Sequence, residues 1–148
     1  MTILPISLTF AAIAALINIW LSIRVGQVRT REKVMVGDGG NEAVIRRMRA
    51  HSNYIESTAF VLVLLLLVEL AAGASIWLWV AGGVYFAGRI AHAIGMDGQM
   101  QARFAGTLIT LLTQLGLAIA AIAIVYLTPT TTASTEVLSG SETVVQPQ

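Results

Sequence analysis

The amino-acid sequence predicts an all-α fold, a bundle of four transmembrane helices. The chain of 148 residues is 56% hydrophobic and only 11% charged, with a mean hydropathy of +0.78. This composition leaves too little polar surface for a water-soluble domain of that length. Four long apolar segments follow one another along the chain, and turn residues separate the later ones at Gly73 and at the Asp97-Gly98 pair.

Each apolar segment is long enough to cross a bilayer. A hydrocarbon core of about 30 Å needs roughly 20 helical residues at about 1.5 Å per residue. The predicted spans are residues 3–23, 43–72, 74–96 and 103–127. Pro5 falls in the first turn of the first span, where a helix tolerates a missing N–H. Because basic residues follow this span and none precede it, we expect a retained helix rather than a signal peptide.

The distribution of basic residues predicts the orientation. Seven of the nine lysines and arginines lie in or beside the first loop, and this group comprises Arg24, Arg29, Arg31, Lys33, Arg46, Arg47 and Arg49. The positive-inside bias then puts this loop in the cytoplasm and both termini outside it. We expect one membrane domain, residues 1–127, and a disordered Thr/Ser-rich tail, residues 128–148. The lipid bilayer is an expected partner, and no nucleic-acid partner is expected.

A polar stripe runs along the first part of the second predicted helix. Its residues, Arg46, Arg49, Asn53, Glu56 and Phe60, are spaced 3, 4, 3 and 4 apart, which puts them on one helix face. Ionisable side chains at membrane depth are costly and persist mainly where they face a bundle interior, a partner or a ligand. The stripe is therefore the first functional-site hypothesis.

Two further helices carry polar residues at the same spacing. These are Tyr85, Arg89, His92 and Met96 on the third helix, and Arg103, Thr107, Thr110 and Gln114 on the fourth. An arginine facing lipid at full depth would cost at least about 2.5–3.5 kcal/mol, so we expect the three seams to cluster. This layer contains four arginines and one carboxylate, that of Glu56. Such a surplus of positive charge requires anions, which lipid head groups or a small anionic substrate can supply. The planar guanidinium of arginine can bind either.

At these residues the chain resembles the MAPEG superfamily, the membrane-associated proteins in eicosanoid and glutathione metabolism. Three motifs carry the resemblance. They are Arg-Ala-His-x-Asn-x-x-Glu starting at Arg49, Gly-Gln-Val-Arg ending at Arg29, and Gly-Arg-x-x-His starting at Gly88, the last followed by Arg103 at the start of the fourth helix. The match covers residues 2–127, and the glycine-rich stretch at residues 37–40 suggests a bacterial branch, hence a bacterial inner membrane.

The resemblance implies a homotrimer with glutathione, as co-substrate, held between subunits near the cytoplasmic face. Carried over residue by residue, the resemblance implies substrate contacts from Arg29, Arg49, Asn53, Glu56 and His92. The arginine-rich layer adds Arg89 to these expected substrate-binding residues. The resemblance also implies a catalytic role for Arg103, which would stabilise the glutathione thiolate, since a neighbouring cation lowers a thiol pKa from about 8.5. The thiolate would attack an apolar electrophile or a peroxide, as a glutathione transferase or peroxidase does. Active members commonly have tyrosine where this chain has Met96 and Thr107.

Two other function classes stay open. One is a non-catalytic membrane protein that retains the fold and an anion- or lipid-binding site. The other is a small proton-coupled transporter, for which Glu56 among arginines is a poor carboxylate. No metal site is expected, because the chain has no cysteine and its two histidines, His51 and His92, have one carboxylate nearby.

Several side chains have plain structural interpretations. The stripe on the second helix can be a network that locks helices together, and His92 can be a core hydrogen-bonding residue. Arg31 and Lys33 suit a basic loop that sets topology and touches anionic lipid. Arg47, off the stripe, is expected to reach the head groups, and Glu69, near the outer end of its helix, is expected to be solvated.

Overall fold

The computed structural model of the chain describes residues 3–127. Over that range the protein is all-helical, and its elements are α1 (Pro5–Glu32), α2 (Glu42–Ala72), α3 (Ile76–Gly95) and α4 (Met100–Leu127). The predicted all-α four-helix fold is confirmed. Helices α1, α2 and α4 are long and apolar enough to cross a membrane. The tail predicted at residues 128–148 lies outside the described residues.

Helix α3 is the shortest of the four and carries Arg89 and His92 in its second half. Its 20 residues span about 30 Å, yet it falls short of the apolar character of the other three because Arg89 and His92 lie in its second half. Both side chains are buried, at 1% and 5% exposure. The polar groups of α3 therefore face the bundle and not the lipid.

The helix ends are set by capping residues and not by hydropathy. Helix α1 continues past the predicted end at residue 23 to Glu32 and stops where Lys33 adopts a left-handed conformation with φ of 57°. Helix α2 begins at an N-cap, Asn41, whose side chain accepts hydrogen bonds from two N–H groups of the first turn. Arginine and lysine are good helix formers, so α1 extends beyond its apolar part.

Helix α2 is the central element of the bundle. It contacts α1, α3 and α4, whereas α1 and α4 do not contact one another within residues 3–127. The Tyr54 hydroxyl donates to the carbonyl of Ala14 at 2.7 Å, joining α2 to α1. The hydroxyls of Thr58 and Tyr85 lie 2.9 Å apart and join α2 to α3. Helices that follow one another in the chain are antiparallel, as short connections require.

Glu69 is buried, and the expectation that it is solvated is wrong. Its carboxylate accepts hydrogen bonds from the N–H groups of Ile6 and Ser7, at 3.0 and 2.7 Å, and from the Ser7 hydroxyl at 2.5 Å. The first turn of α1 has no side-chain cap of its own, since its N-cap residue is Leu4. A carboxylate from α2 thus takes the place of an N-cap for α1.

Candidate functional site

The polar seams of α2, α3 and α4 meet at the end of the bundle that holds the 33–41 loop and the 96–99 turn. They form a hollow of about 210 Å³, hereafter the inter-helix groove, which is lined by Arg49, Ser52, Asn53, Glu56, His92, Met96 and Arg103. An adjoining hollow of about 340 Å³ shares Arg49, Met96 and Arg103 with the groove and adds Arg46. Residues of three helices thus surround one polar space, as the helical spacing indicates.

Arg89 lies behind the groove wall and joins three helices. Its Nη1 donates to the Asn53 side-chain oxygen at 3.0 Å and to the Thr110 hydroxyl at 3.2 Å. The guanidinium also lies 5.7 Å from the centre of the Tyr54 ring. Within residues 3–127 its Nε has no hydrogen-bond partner and no carboxylate pairs with it. A buried positive charge therefore orients Asn53 at the groove and contributes a positive potential there.

His92 is presented to the groove by close packing of α3 against α4. The helices approach at Gly106, where an added Cβ would lie 2.7 Å from the backbone N of His92 and 2.5 Å from the carbonyl oxygen of Gly88. Only glycine allows this separation. The His92 Nδ1 is buried and has no hydrogen-bond partner in the described part of the chain. Because it is buried, this nitrogen is not open to a ligand in the groove, which His92 lines with the rest of its ring.

The groove contains cations without acidic partners. Arg49 and Arg103 are exposed to it, and neither forms an ion pair within the described range. Glu56 is also exposed there and likewise has no cationic partner among these residues. Two free guanidinium groups and one free carboxylate can bind a small molecule that carries anionic groups and one ammonium group.

Other predicted site residues lie outside the groove. Arg29, near the end of α1, donates to the sulfur of Met48 at 3.3 Å and to the carbonyl of Met35 at 3.4 Å. Arg46 pairs with Glu42 at 2.5 Å and lines only the adjoining hollow and the solvent-facing side. Of the stripe residues, Phe60 is 63% exposed and lies beyond the groove.

A cluster that the sequence reasoning missed holds the same end of the bundle. Arg47, which was expected to reach lipid head groups, instead pairs with Asp97 at 3.3 Å and donates to the carbonyl of Arg24 at 3.2 Å. The sequence indicates only a turn at Asp97. A signal was available, because Asp97 is the only acidic residue between Glu69 and the end of α4. An isolated carboxylate at the basic end of a membrane bundle needs a cationic partner.

Two larger hollows have a different chemistry. One, of about 580 Å³, lies at the basic end and is lined by three arginines, each paired with a carboxylate that also lines it. The other, of about 830 Å³, lies between α3 and α4 and is lined mainly by apolar side chains such as Trp77 and Leu112. Neither is lined by cations that lack an acidic partner within the described residues, so the inter-helix groove is the candidate site.

Comparison with known proteins agrees with this architecture. A sequence model of the MAPEG family matches residues 7–123. Inner membrane protein YecN of Escherichia coli strain K12 is 31% identical over 96 residues, which cover 64% of this chain and 72% of that protein. Inner membrane protein YecN of Escherichia coli O6:H1 strain CFT073 matches with the same identity and coverage. The described helices and the extent of the family match lead to one conclusion: the chain is an integral membrane protein that belongs to the MAPEG family.

Proposed function

We propose that the protein binds glutathione in the inter-helix groove and acts as a glutathione transferase or peroxidase on apolar substrates. The observation that carries this proposal is the presence of Arg49, Arg103 and Glu56 on one groove, each without an oppositely charged partner in the described chain. Glutathione at neutral pH has two carboxylates and one ammonium group. Its charges complement two guanidinium groups and one carboxylate.

The groove residues then have distinct roles. Arg49 and the Asn53 amide, which Arg89 orients, bind a carboxylate, and Glu56 binds the ammonium group. His92 contacts the peptide with the part of its ring that lines the groove. Arg103 lies beside the sulfur and favours the thiolate, because a cation stabilises the charged form of the thiol.

The thiolate is the reacting group in both activities. In the transferase reaction its sulfur bonds to an electrophilic carbon, and the leaving group departs with its electron pair. In the peroxidase reaction two glutathione molecules are oxidised to the disulfide while a peroxide is reduced to an alcohol and water. An apolar substrate would reach the groove from the bilayer past Phe60, which is exposed and lies one helical turn beyond Glu56 on α2.

We further propose a homotrimer in a bacterial inner membrane. The stripe residues Arg49, Asn53 and Glu56 are exposed on the single chain, and charged groups on a lipid-facing surface are costly. A neighbouring copy that covers this face of α2 removes the cost and closes the groove. Arg29 lies outside the groove of its own chain and would reach a glutathione molecule only in a neighbour's groove.

We also propose that the groove end of the bundle faces the cytoplasm. Arg24, Arg29, Arg47 and Arg49 all lie near the groove end. The positive-inside bias supports a cytoplasmic position for that end, with the start of α1 and the end of α4 on the opposite side. Glutathione is then bound from the cytoplasmic face. The name of the relatives, inner membrane protein, supports the location.

A titration tests the glutathione proposal. Purified full-length protein in detergent is titrated with glutathione, with binding measured by calorimetry and the thiolate by its ultraviolet absorbance. We expect saturable binding, a loss of affinity of about tenfold to hundredfold in Arg49→Ala, and loss of the thiolate signal with retained binding in Arg103→Ala. Arg31→Ala is the control, because Arg31 pairs with the adjacent Glu32 outside the groove. Absence of saturable binding at millimolar glutathione would overturn the proposal.

One observation favours a non-catalytic alternative. Met96 lines the groove with a thioether, and Thr107 lies outside the groove lining, so neither supplies a phenol beside the sulfur. In this alternative the cations bind a phosphate head group of an anionic lipid. It predicts that phosphatidylglycerol raises the melting temperature through Arg49 and Arg103, that glutathione does not, and that chlorodinitrobenzene is not conjugated.

A further inference from the structure

A charged cluster lies against the turn between α3 and α4, beside the inter-helix groove. The Asp97 carboxylate, in this turn, is hydrogen-bonded by Arg24 of α1 and by Arg47 of α2, with Arg47 Nε at 3.3 Å and Nη2 at 3.4 Å. We name Arg24, Arg47 and Asp97 the turn clamp. Its two arginines approach one carboxylate from different helices, so the turn is held against both α1 and α2.

Each arginine of the turn clamp has a second bond that fixes its position. Arg24 Nη1 donates to the carbonyl of Ala93, in the last turn of α3, at 3.1 Å, and its guanidinium lies 4.8 Å from the Trp20 ring. Arg47 Nη1 donates to the carbonyl of Arg24 at 3.2 Å. Cationic side chains at a helix C-terminus satisfy its free carbonyls and favour its dipole. The clamp therefore holds both the end of α3 and the turn after it.

The turn clamp is more protected than an ordinary surface ion pair. The side chains of Arg24 and Arg47 are 12% and 23% exposed, and that of Asp97 is 39% exposed. Arg24 contacts a backbone carbonyl, the Trp20 ring and the Asp97 carboxylate. A carboxylate shared by two partly buried arginines constrains geometry more than an isolated exposed pair does.

The held turn is continuous with the groove wall. Met96, directly before Asp97, is 8% exposed and lines the groove. Gly95 packs so closely against α4 that an added Cβ would lie 2.2 Å from the backbone N of Arg103. Because Gly95 and Arg103 cannot separate without breaking this contact, a displacement of the turn displaces Arg103 as well.

We propose that Asp97 is a positioning residue, which through the turn clamp holds Met96 and Arg103 at the proper distance from Arg49 across the groove. The part of this proposal that concerns glutathione rests on the proposed function. The part that concerns the placement of Arg103 does not. Asp97 touches no ligand in this scheme and acts only through the turn.

The test uses the full-length protein with Asp97→Asn, which retains the size of the side chain and removes its charge. We expect amide hydrogen exchange at residues 97–103 to be about tenfold faster than in the wild type. We expect kcat/KM to fall about tenfold to hundredfold, mainly through kcat and with a weaker thiolate absorbance, because a displacement near 1 Å suffices for such losses. Asp97→Glu retains the charge. We expect it to keep most of the wild-type protection from exchange at residues 97–103 and most of the wild-type kcat/KM.

The matched control is Asp38→Asn in the first loop. Asp38 accepts a hydrogen bond from the Gly40 N–H through an oxygen that asparagine retains, so neither readout should change. Unchanged exchange at residues 97–103 in Asp97→Asn would overturn the proposal, as would faster exchange with unaltered kcat and thiolate absorbance. If the wild type does not bind glutathione, the proposed function fails, and exchange at the Arg103 amide alone decides the positioning role.

Discussion

Removal of the charge at Glu69 should destabilise the bundle at the end opposite to the groove. Glu69 is 2% exposed, and its carboxylate is the only side-chain cap on the first turn of α1 within residues 3–127. The substitution Glu69→Gln retains the size of the side chain and one acceptor oxygen. Its amide nitrogen, however, is a donor and faces the N–H of Ser7, where the structure needs an acceptor.

The expected magnitude follows from the bonds that are lost. The variant loses the 2.7 Å bond from the Ser7 N–H and weakens the 3.0 Å bond from the Ile6 N–H, which is then no longer charge-assisted. A hydrogen bond to a charged group contributes about 1.5–3 kcal/mol, and a buried N–H without an acceptor costs about 1–3 kcal/mol. The Ser7 hydroxyl can rotate to accept from the new amide, so we expect a net loss of about 2–3 kcal/mol, or about 5–10 °C in the melting temperature.

Thermal unfolding in detergent measures the loss, and hydrogen exchange at the amides of residues 6 and 7 locates it. Glu42→Gln is the control, because Glu42 is 76% exposed and pairs with Arg46 at the i, i+4 spacing. That change should cost less than about 0.5 kcal/mol. A melting temperature of Glu69→Gln within about 1 °C of the wild type, with unchanged exchange at residues 6 and 7, would refute the capping role.

Three further changes have defined outcomes. Gly95→Ala puts a methyl group 2.2 Å from the backbone N of Arg103; we expect a loss of about 1–3 kcal/mol in thermal unfolding, and a wild-type melting temperature would show that α3 and α4 tolerate separation. Tyr54→Phe removes the hydroxyl that donates to the Ala14 carbonyl; unfolding should cost about 1 kcal/mol, and a stabilised variant would contradict the role of this bond. Arg89→Met removes the buried cation that orients Asn53; we expect glutathione affinity to fall about tenfold or more in calorimetry, whereas unchanged affinity would exclude Arg89 from the site.

Hydropathy predicted the helices better than it predicted their ends. It identifies the residues that suit lipid, and all four apolar segments are helices in the described range. It carries no information on where a helix stops in water. Helix α1 therefore continues through a basic segment to Glu32 until a left-handed residue ends it.

Helical spacing predicted which side chains share a face, and this was enough to bring several together. Arg49, Asn53 and Glu56 on α2 meet His92 of α3 and Arg103 of α4 in one groove. Their roles in binding or catalysis stay predictions. Arg29 was grouped with the site through the family resemblance and not through spacing, and on its own chain it does not line the groove.

The polar contacts that sequence reasoning missed join residues far apart in the chain. Glu69 finds its partners 62 and 63 residues earlier, and Arg47 finds Asp97 50 residues later. Each side chain looked solvated or lipid-facing on its own helix. Its burial depends on a partner element, and no local pattern reports that partner.

The cap on α1 also bears on how the chain enters a membrane during synthesis. Within residues 3–127, no side chain near the first turn of α1 accepts from its N–H groups, and the acceptor arrives only when α2 has been made as far as Glu69. The hydrocarbon core offers no alternative acceptor. The α1–α2 hairpin, and not the first helix alone, is therefore the smallest insertion unit in which the N–H groups of that turn have acceptors. In a ribosome-bound chain stopped before Glu69, the first turn of α1 should be accessible to water.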